Sequence, residues 1–242
     1  KIFPLALFYP LMFFGFQAYG LKYASSSETG ILQGAIPIFT LIIASYCLKE
    51  RTNIYQKLSI LLSVSGIIYI TIMKSTSIEF TSLKGIILIL LSCISFSCYS
   101  VLARILTKDF SNMELSAVMT IISFIVFNTF SIIKHLMNGT LGALFTPLKN
   151  INFILSILYL GVLSSLVTSI LTNYILSKIE ASKMSVFVNI APIISIIAGA
   201  IILGEKIYYY HIIGSILIII GVLGTNFLDK NIGRNRGVKG KP

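Results

Sequence analysis

Seven polar side chains sit inside long apolar runs of this sequence: Gln17, Gln33, Tyr99, Asn128, Thr172, Asn173 and Asn189. All are amides or hydroxyls. Such groups hold a partner by hydrogen bonds rather than by moving protons or covalent groups. A polar group among apolar neighbours is costly unless it is paired or faces water. Two readings therefore stand for the set: contacts to a solute in a central cavity, or bonds between helices worth about 0.6–2 kcal/mol each. Asn189 lies one turn before Pro192, and Gln33 one turn before Pro37. On a helix each pair faces roughly one side. A proline inside a helix removes a backbone hydrogen bond and kinks it. Pro37 and Pro192 thus read either as hinges beside a solute path or as fixed kinks that shape packing.

Catalytic chemistry finds no constellation. No Asp or Glu lies clearly mid-span, which argues against an intramembrane enzyme and against an obvious buried proton carrier. Glu50 and Glu205 each end an apolar run, where the helix dipole disfavours a carboxylate. Each is expected to find a local partner in the basic residue that follows, Arg51 or Lys206, and to pin the helix end. His135 and His211 lack further ligands at usable spacing, so no metal is expected. Cys47, Cys93 and Cys98 form no Cys-x-x-Cys and read as small packing residues. No cofactor is implied. Asn138-Gly139-Thr140 matches a glycosylation sequon, which means little if the source is bacterial.

The elements that position these groups follow from composition. The 242 residues are 56% hydrophobic and only 11% charged, with mean hydropathy +0.92, whereas soluble domains are about 25% charged. The apolar residues come in runs near the ~20 needed to cross a bilayer as helix. The fold class is all-α integral membrane, a polytopic helical bundle. Eight spans are expected, at 2–23 (interrupted by Pro4 and Pro10), 30–48, 54–73, 83–106, 114–133, 153–176, 184–203 and 209–227. The stretch 135–152 carries Gly, Pro and Asn and is expected to include a short interfacial piece.

The chain also repeats itself. Residues 19–66 align without a gap on 174–221 at an offset of 155. Pro37 falls on Pro192, Leu48-Lys49-Glu50-Arg51 on Leu203-Gly204-Glu205-Lys206, and Gly66 on Gly221. Three helices of a first unit match the last three of a five-helix second unit. Two further helices, roughly 70 residues, are then expected before Lys1. Two units of five spans must enter the membrane from opposite sides, an inverted repeat of the kind found in secondary transporters. Residues 1–78 read as the end of the first repeat, 79–228 as the complete second, and 229–242 as a basic tail of disordered composition. With a cytoplasmic N-terminus for the ten-span parent, thirteen of the nineteen Lys and Arg fall inside, five of them in the tail. The cell membrane with the C-terminus cytoplasmic is therefore expected. The net charge of +11 sits in loops and tail, so nucleic acid is not an expected partner.

On these residues the sequence resembles the drug/metabolite transporter superfamily, and its EamA-like family in particular. The resemblance rests on Asn189-Ile-Ala-Pro192, Leu203-Gly204-Glu205-Lys206, Gly214 and Gly221, with Pro37, the first tetrad and Gly66 in the other copy. The stretch Lys84-Gly85 through Tyr99 to Arg104 looks like the opening helix of such a repeat. Lys49 departs from the pattern, standing where glycine is usual. The resemblance implies a secondary carrier of small organic metabolites such as amino acids or drugs, working by alternating access, often as an exporter. It implies a small-molecule solute and the lipid bilayer as partners, and leaves open proton or ion coupling and the oligomeric state. The alternatives are a lipid flippase, an intramembrane enzyme, or an inactive truncated fragment of a carrier.

Overall fold

A computed structural model of the chain describes residues 2–24, 26–50, 52–74, 83–143, 145–204 and 206–227. Lys1, Arg51, Glu205 and the basic tail lie outside the described residues. Every regular element among the described residues is helical. In order these are α1 (Phe3–Ala6), a kinked segment (Leu7–Met12), α2 (Phe13–Gly20), α3 (Ser26–Gln33), α4 (Ile36–Cys47), α5 (Ile54–Lys74), α6 (Leu83–Leu106) and α7 (Asn112–Met137). Two short 3-10 turns (Leu141–Ala143 and Thr146–Lys149) fill the expected interfacial stretch. Then come α8 (Ile151–Leu158), a π-type segment (Tyr159–Val167), α9 (Thr168–Lys178), α10 (Ala181–Val188), α11 (Ala191–Leu203) and α12 (Tyr209–Phe227). Five stretches among the described residues are long and apolar enough to cross a membrane: 54–73, 83–106, 112–137, 151–178 and 181–198. The molecule is a helical membrane bundle.

The two expected spans at 30–48 and 184–203 are not continuous helices. The first breaks at Gly34-Ala35 between α3 and α4, the second at Asn189-Ile190 between α10 and α11. Pro37 and Pro192 consequently do not interrupt a helix. Each stands in the first turn of a new one, where its missing N–H is one of the donors left unpaired anyway. Sequence reasoning placed the kink at the proline; the chain bends two to three residues earlier. The two breaks are bonded alike. Ala35 N–H donates to Leu32 O, while Ile38 and Phe39 N–H both donate to Ala35 O. At an offset of 155, Ile190 N–H donates to Phe187 O, while Ile193 and Ile194 N–H both donate to Ile190 O. A third break lies in the first span, where Tyr9 is extended (φ −140°, ψ 126°) and the Tyr9–Pro10 peptide is cis.

Local capping sets where the long helices begin. Ser111 Oγ accepts from Glu114 N–H while the Glu114 carboxylate accepts from Ser111 N–H, a reciprocal cap for α7. Asn53 and Gln56 do the same for α5 at 2.7 and 2.9 Å.

The tightest helix pair is α5 on α12. Gln56 Nε2 donates to Thr225 O (3.4 Å) at one end, and Gly66 meets Gly214 and Ile218 at the other. Rising numbers in α5 meet falling numbers in α12, so the two run antiparallel. A methyl group on Gly66 would stand 2.7 Å from Gly214 O and 2.8 Å from Ile218 Cγ1. One on Gly221 would stand 2.6 Å from Ser63 N. Shifted by 155, Gly66 becomes Gly221 and Ser63 becomes Ile218. The contacts Gly66–Ile218 and Gly221–Ser63 are thus the same pair with partners exchanged. Small residues let the backbones approach this closely.

Gly66→Ala is expected to lower stability by about 1–3 kcal/mol through overpacking. Gly15→Ala, where a methyl group meets nothing within 4 Å, is expected to raise it by about 0.5–1 kcal/mol through helix propensity. Thermal unfolding of the two purified variants in one detergent compares them directly; equal shifts would contradict the packing described.

Candidate functional site

Three tiers of side chains lead from one end of the bundle to a cavity. At the end sits the first Leu-x-Glu-basic tetrad. Helix α4 stops at Cys47, and Lys49 takes a left-handed conformation (φ 55°) that turns the chain away from the helix axis. Gly204, its counterpart, has φ 68°, which suits glycine and strains lysine. The turn delivers Glu50 to the N-terminus of α10. Its carboxylate accepts from Ala181 N–H (3.1 Å), Ser182 N–H (3.3 Å) and Ser182 Oγ–H. Arg51, the adjacent basic residue expected from sequence, lies outside the described residues, and the partner of Glu50 among the described ones is a distant one. It is the positive end of a helix about 130 positions away, where a carboxylate pairs orphan N–H groups and complements the dipole. Arg104 makes the opposite arrangement. Its Nη1 donates to Leu176 O (2.7 Å) in the last turn of α9, placing a cation at the negative end. Lys183 and Glu180 pair at 3.2 Å beside these.

About one to two turns inward along α6 and α9 is a buried polar chain. Tyr99 O–H donates to Asn173 Oδ1 (2.9 Å). Asn173 Nδ2 donates to Ser116 Oγ (2.9 Å), and Ser169 Oγ donates to the same Ser116 Oγ (3.2 Å). Tyr99, Asn173 and Ser116 are all 0% exposed. The chain ties α6, α7 and α9 and leaves no buried side-chain polar atom among the described residues without a partner. The Tyr9 ring stacks on Tyr99 at 4.7 Å between centroids and meets Phe96 edge-on.

Beyond Ser169 a cavity of about 220 Å³ opens. One wall is Tyr9, Pro10 and Phe14, where the first span breaks. A second is the α7 stripe Met119, Thr120, Ser123, Phe124 and Phe127. The third is Gly161, Ser165 and Ser169, on and just after the π-type segment. A wide helical turn of this kind recurs at functional sites. Here it faces the kink at Tyr9 across the same space.

The seven sequence-derived candidates are not gathered in one place. Tyr99 and Asn173 meet each other in the chain that ends at the cavity. Asn189 is buried in the α10–α11 break and donates to Ser63 Oγ of α5 (3.0 Å). Gln17, Gln33 and Thr172 are half-buried on α2, α3 and α9. Asn128 is on the exposed face of α7 and donates to Phe124 O of its own helix (2.8 Å). Of the cysteines, Cys93 is buried and donates weakly to Leu32 O (3.5 Å), whereas Cys47 is exposed rather than packed. Sequence reading missed Ser116, Ser169 and the α7 stripe. A signal for the stripe was present, because residues 116, 119, 120, 123, 124 and 127 follow helical spacing on one face.

A multi-pass helical membrane protein with broken spans beside a small half-open cavity has the architecture of a transporter. The chain matches the EamA-like transporter family over residues 1–72 and 83–227, and it belongs to that family. It is 50% identical over 234 residues to the uncharacterized transporter YcxC of Bacillus subtilis (strain 168), covering 96% of this chain and 75% of that protein. It is 25% identical to a WAT1-related protein of Arabidopsis thaliana, covering 90% and 64% of the two chains. A solved crystal structure superposes with TM-score 0.78 at 16% identity, over 95% of this chain and 78% of the other, a likeness of fold. The family places the chain among transporters rather than enzymes.

Replacing Lys49 by Gly is expected to stabilise the protein by about 1 kcal/mol, because the left-handed turn then carries no side-chain penalty. Glu50→Ala is expected to cost about 1–2 kcal/mol by uncapping α10. Thermal unfolding in detergent checks both; a destabilised Lys49→Gly variant would contradict the turn described here.

Proposed function

We propose that the chain is the larger part of a secondary carrier that moves small organic metabolites, such as amino acids or drugs, out of the cell by alternating access. The observation that carries this reading is the cavity at the seam between residues 1–78 and 79–228, with one wall from the first part and two from the second. In this reading the eight spans belong to a ten-span parent built from two five-helix halves inverted with respect to each other. The antiparallel α5–α12 pair with exchanged contacts and the identically bonded breaks support it. The alternation turns on those breaks. Pro37 and Pro192 start the half-helices that tilt, and the breaks at 34–35 and 189–190 need few bonds changed to do so.

The closed end carries Glu50 on α10 and Arg104 on α9. The turns that meet there hold Lys49, Lys108, Lys178 and Lys183. In this reading that end is cytoplasmic by the positive-inside rule, the C-terminus is cytoplasmic too, and the membrane is the cell membrane. Tyr99 and Asn173 then form the floor of the solute site, Gln17, Gln33, Thr172 and Asn189 line further stages of the path, and Asn128 faces a region outside the present cavity.

Full-length protein in proteoliposomes is expected to exchange a labelled metabolite against an internal pool. Asn173→Leu, which leaves the Tyr99 hydroxyl without its buried acceptor, is expected to cut exchange at least about tenfold at equal reconstitution. Absence of exchange for every metabolite class tried, with scrambling of labelled lipid instead, would replace the carrier by a flippase.

A further inference from the structure

We propose that Glu50 is a releasable latch across one end of the bundle, and that Glu180 takes over the start of α10 when that end opens. This rests on the carrier reading and adds to it a device that sets the balance between the closed and the open end.

The latch joins two half-helices. Helix α4 starts at the break at 34–35 and stops just before Glu50, whereas α10 starts at Ala181 and stops at the break at 189–190. Each is therefore tied to the rest of its own span through a break. The Glu50 carboxylate ties their other ends together, through Ala181 N–H (3.1 Å), Ser182 N–H (3.3 Å) and Ser182 Oγ–H. It crosses from residues 1–78 to residues 79–228, so moving α4 and α10 apart at this end breaks all three bonds. Gln56 to Thr225 also crosses between these parts, but within the close α5–α12 pair. Glu50 and Glu180 are both partly exposed. On release the carboxylate passes into water, not into hydrocarbon, and escapes the penalty of an unpaired buried charge.

The start of α10 shows where the replacement comes from. Glu180 is its N-cap residue, with the extended backbone of that position (φ −63°, ψ 146°), yet its side chain makes no cap bond. The Glu180 carboxylate pairs instead with Lys183 at 3.2 Å. An N-cap side chain reaches the N–H of the second helical residue, which here is Ser182, the group that Glu50 holds. Two carboxylates thus compete for one N–H, one from across the bundle and one local. With Glu180 in waiting, α10 keeps an anion at its positive end in both states. Removing the two carboxylates then acts in opposite directions. Without Glu50 the closed end loses its advantage; without Glu180 the open end loses its cap.

Thiol labelling of purified full-length protein tests this. Ser185 of α10 is 0% exposed, and Ser185→Cys is a near-isosteric reporter of opening. Cys93, buried on α6 and bonded to Leu32 O, stays as the internal reference, and the other cysteines are replaced by serine. A small charged methanethiosulfonate labels each thiol at a rate set by how often its surroundings open. Glu50→Ala is expected to raise the ratio of the Ser185→Cys rate to the Cys93 rate at least about fivefold. Glu50→Gln, which keeps an acceptor without the charge, is expected to fall between and serves if the alanine variant does not fold. Glu180→Ala is expected to lower the ratio about three- to tenfold. A residue that only stabilises the fold would change both rates together, so an unchanged ratio in the Glu50 variants overturns the latch. An unchanged or raised ratio in Glu180→Ala overturns the exchange of caps. Opposite shifts in a protein that exchanges no solute in proteoliposomes would overturn the carrier reading alone.

Discussion

A peptide N–H or C=O without a partner costs several kcal/mol in hydrocarbon, and that penalty decides where this bundle is allowed to be irregular. Two of the described breaks, at Gly34-Ala35 and Asn189-Ile190, lie where protein surrounds them. At Gly34-Ala35 the freed groups fall against α6, where Cys93 reaches Leu32 O and Ser97 lies against Ile36 O and accepts from Thr40 Oγ1. At Asn189-Ile190 the asparagine itself spans to Ser63 of α5. The lipid-facing surfaces of α7 and α12 are unbroken helix with large apolar side chains outward. The π-type segment Tyr159–Val167, by contrast, lies on a largely exposed stretch and keeps its bonds within the helix.

Along the α5–α12 seam, close packing of Gly66, Gly214 and Gly221 fixes one pair of helices at short range and leaves the remaining, broken helices to be arranged around it. The same seam holds Ser59 and Ser63, so the rigid pair also supplies the hydroxyl that anchors Asn189 in the neighbouring break.

Fold class was legible because runs of apolar residues near twenty long report directly on bilayer thickness. The tetrad was legible as a pattern but not as a mechanism. Leu48-Lys49-Glu50-Arg51 announces a helix end, yet the partner of Glu50 is about 130 positions distant, and no local rule names it. The prolines misled for a related reason. Proline fits the first turn of a helix as well as it kinks the middle of one, and sequence alone does not separate a bent span from two half-helices. Tyr99 and Asn173 were visible as polar residues in apolar runs. Ser116 and Ser169 were not, because serine in membrane helices commonly bonds its own backbone, as Ser95 and Ser100 do here. Only the meeting of three helices distinguishes the serines that turn outward.

The π-type segment between α8 and α9 and the kink in the first span face the same space. A π turn widens the helix, misaligns successive side chains and leaves part of the ladder weaker; this one carries Gly161 and Ser165 and leads directly into Ser169. In the first span the irregularity is a kink: Tyr9 is extended (φ −140°, ψ 126°), and its ring stacks on Tyr99 while lining the cavity. Had both stretches been straight α-helix, Tyr9 and Ser169 would project from uniform faces. The two irregular stretches thus carry the cavity side chains that stand at the end of the buried polar chain.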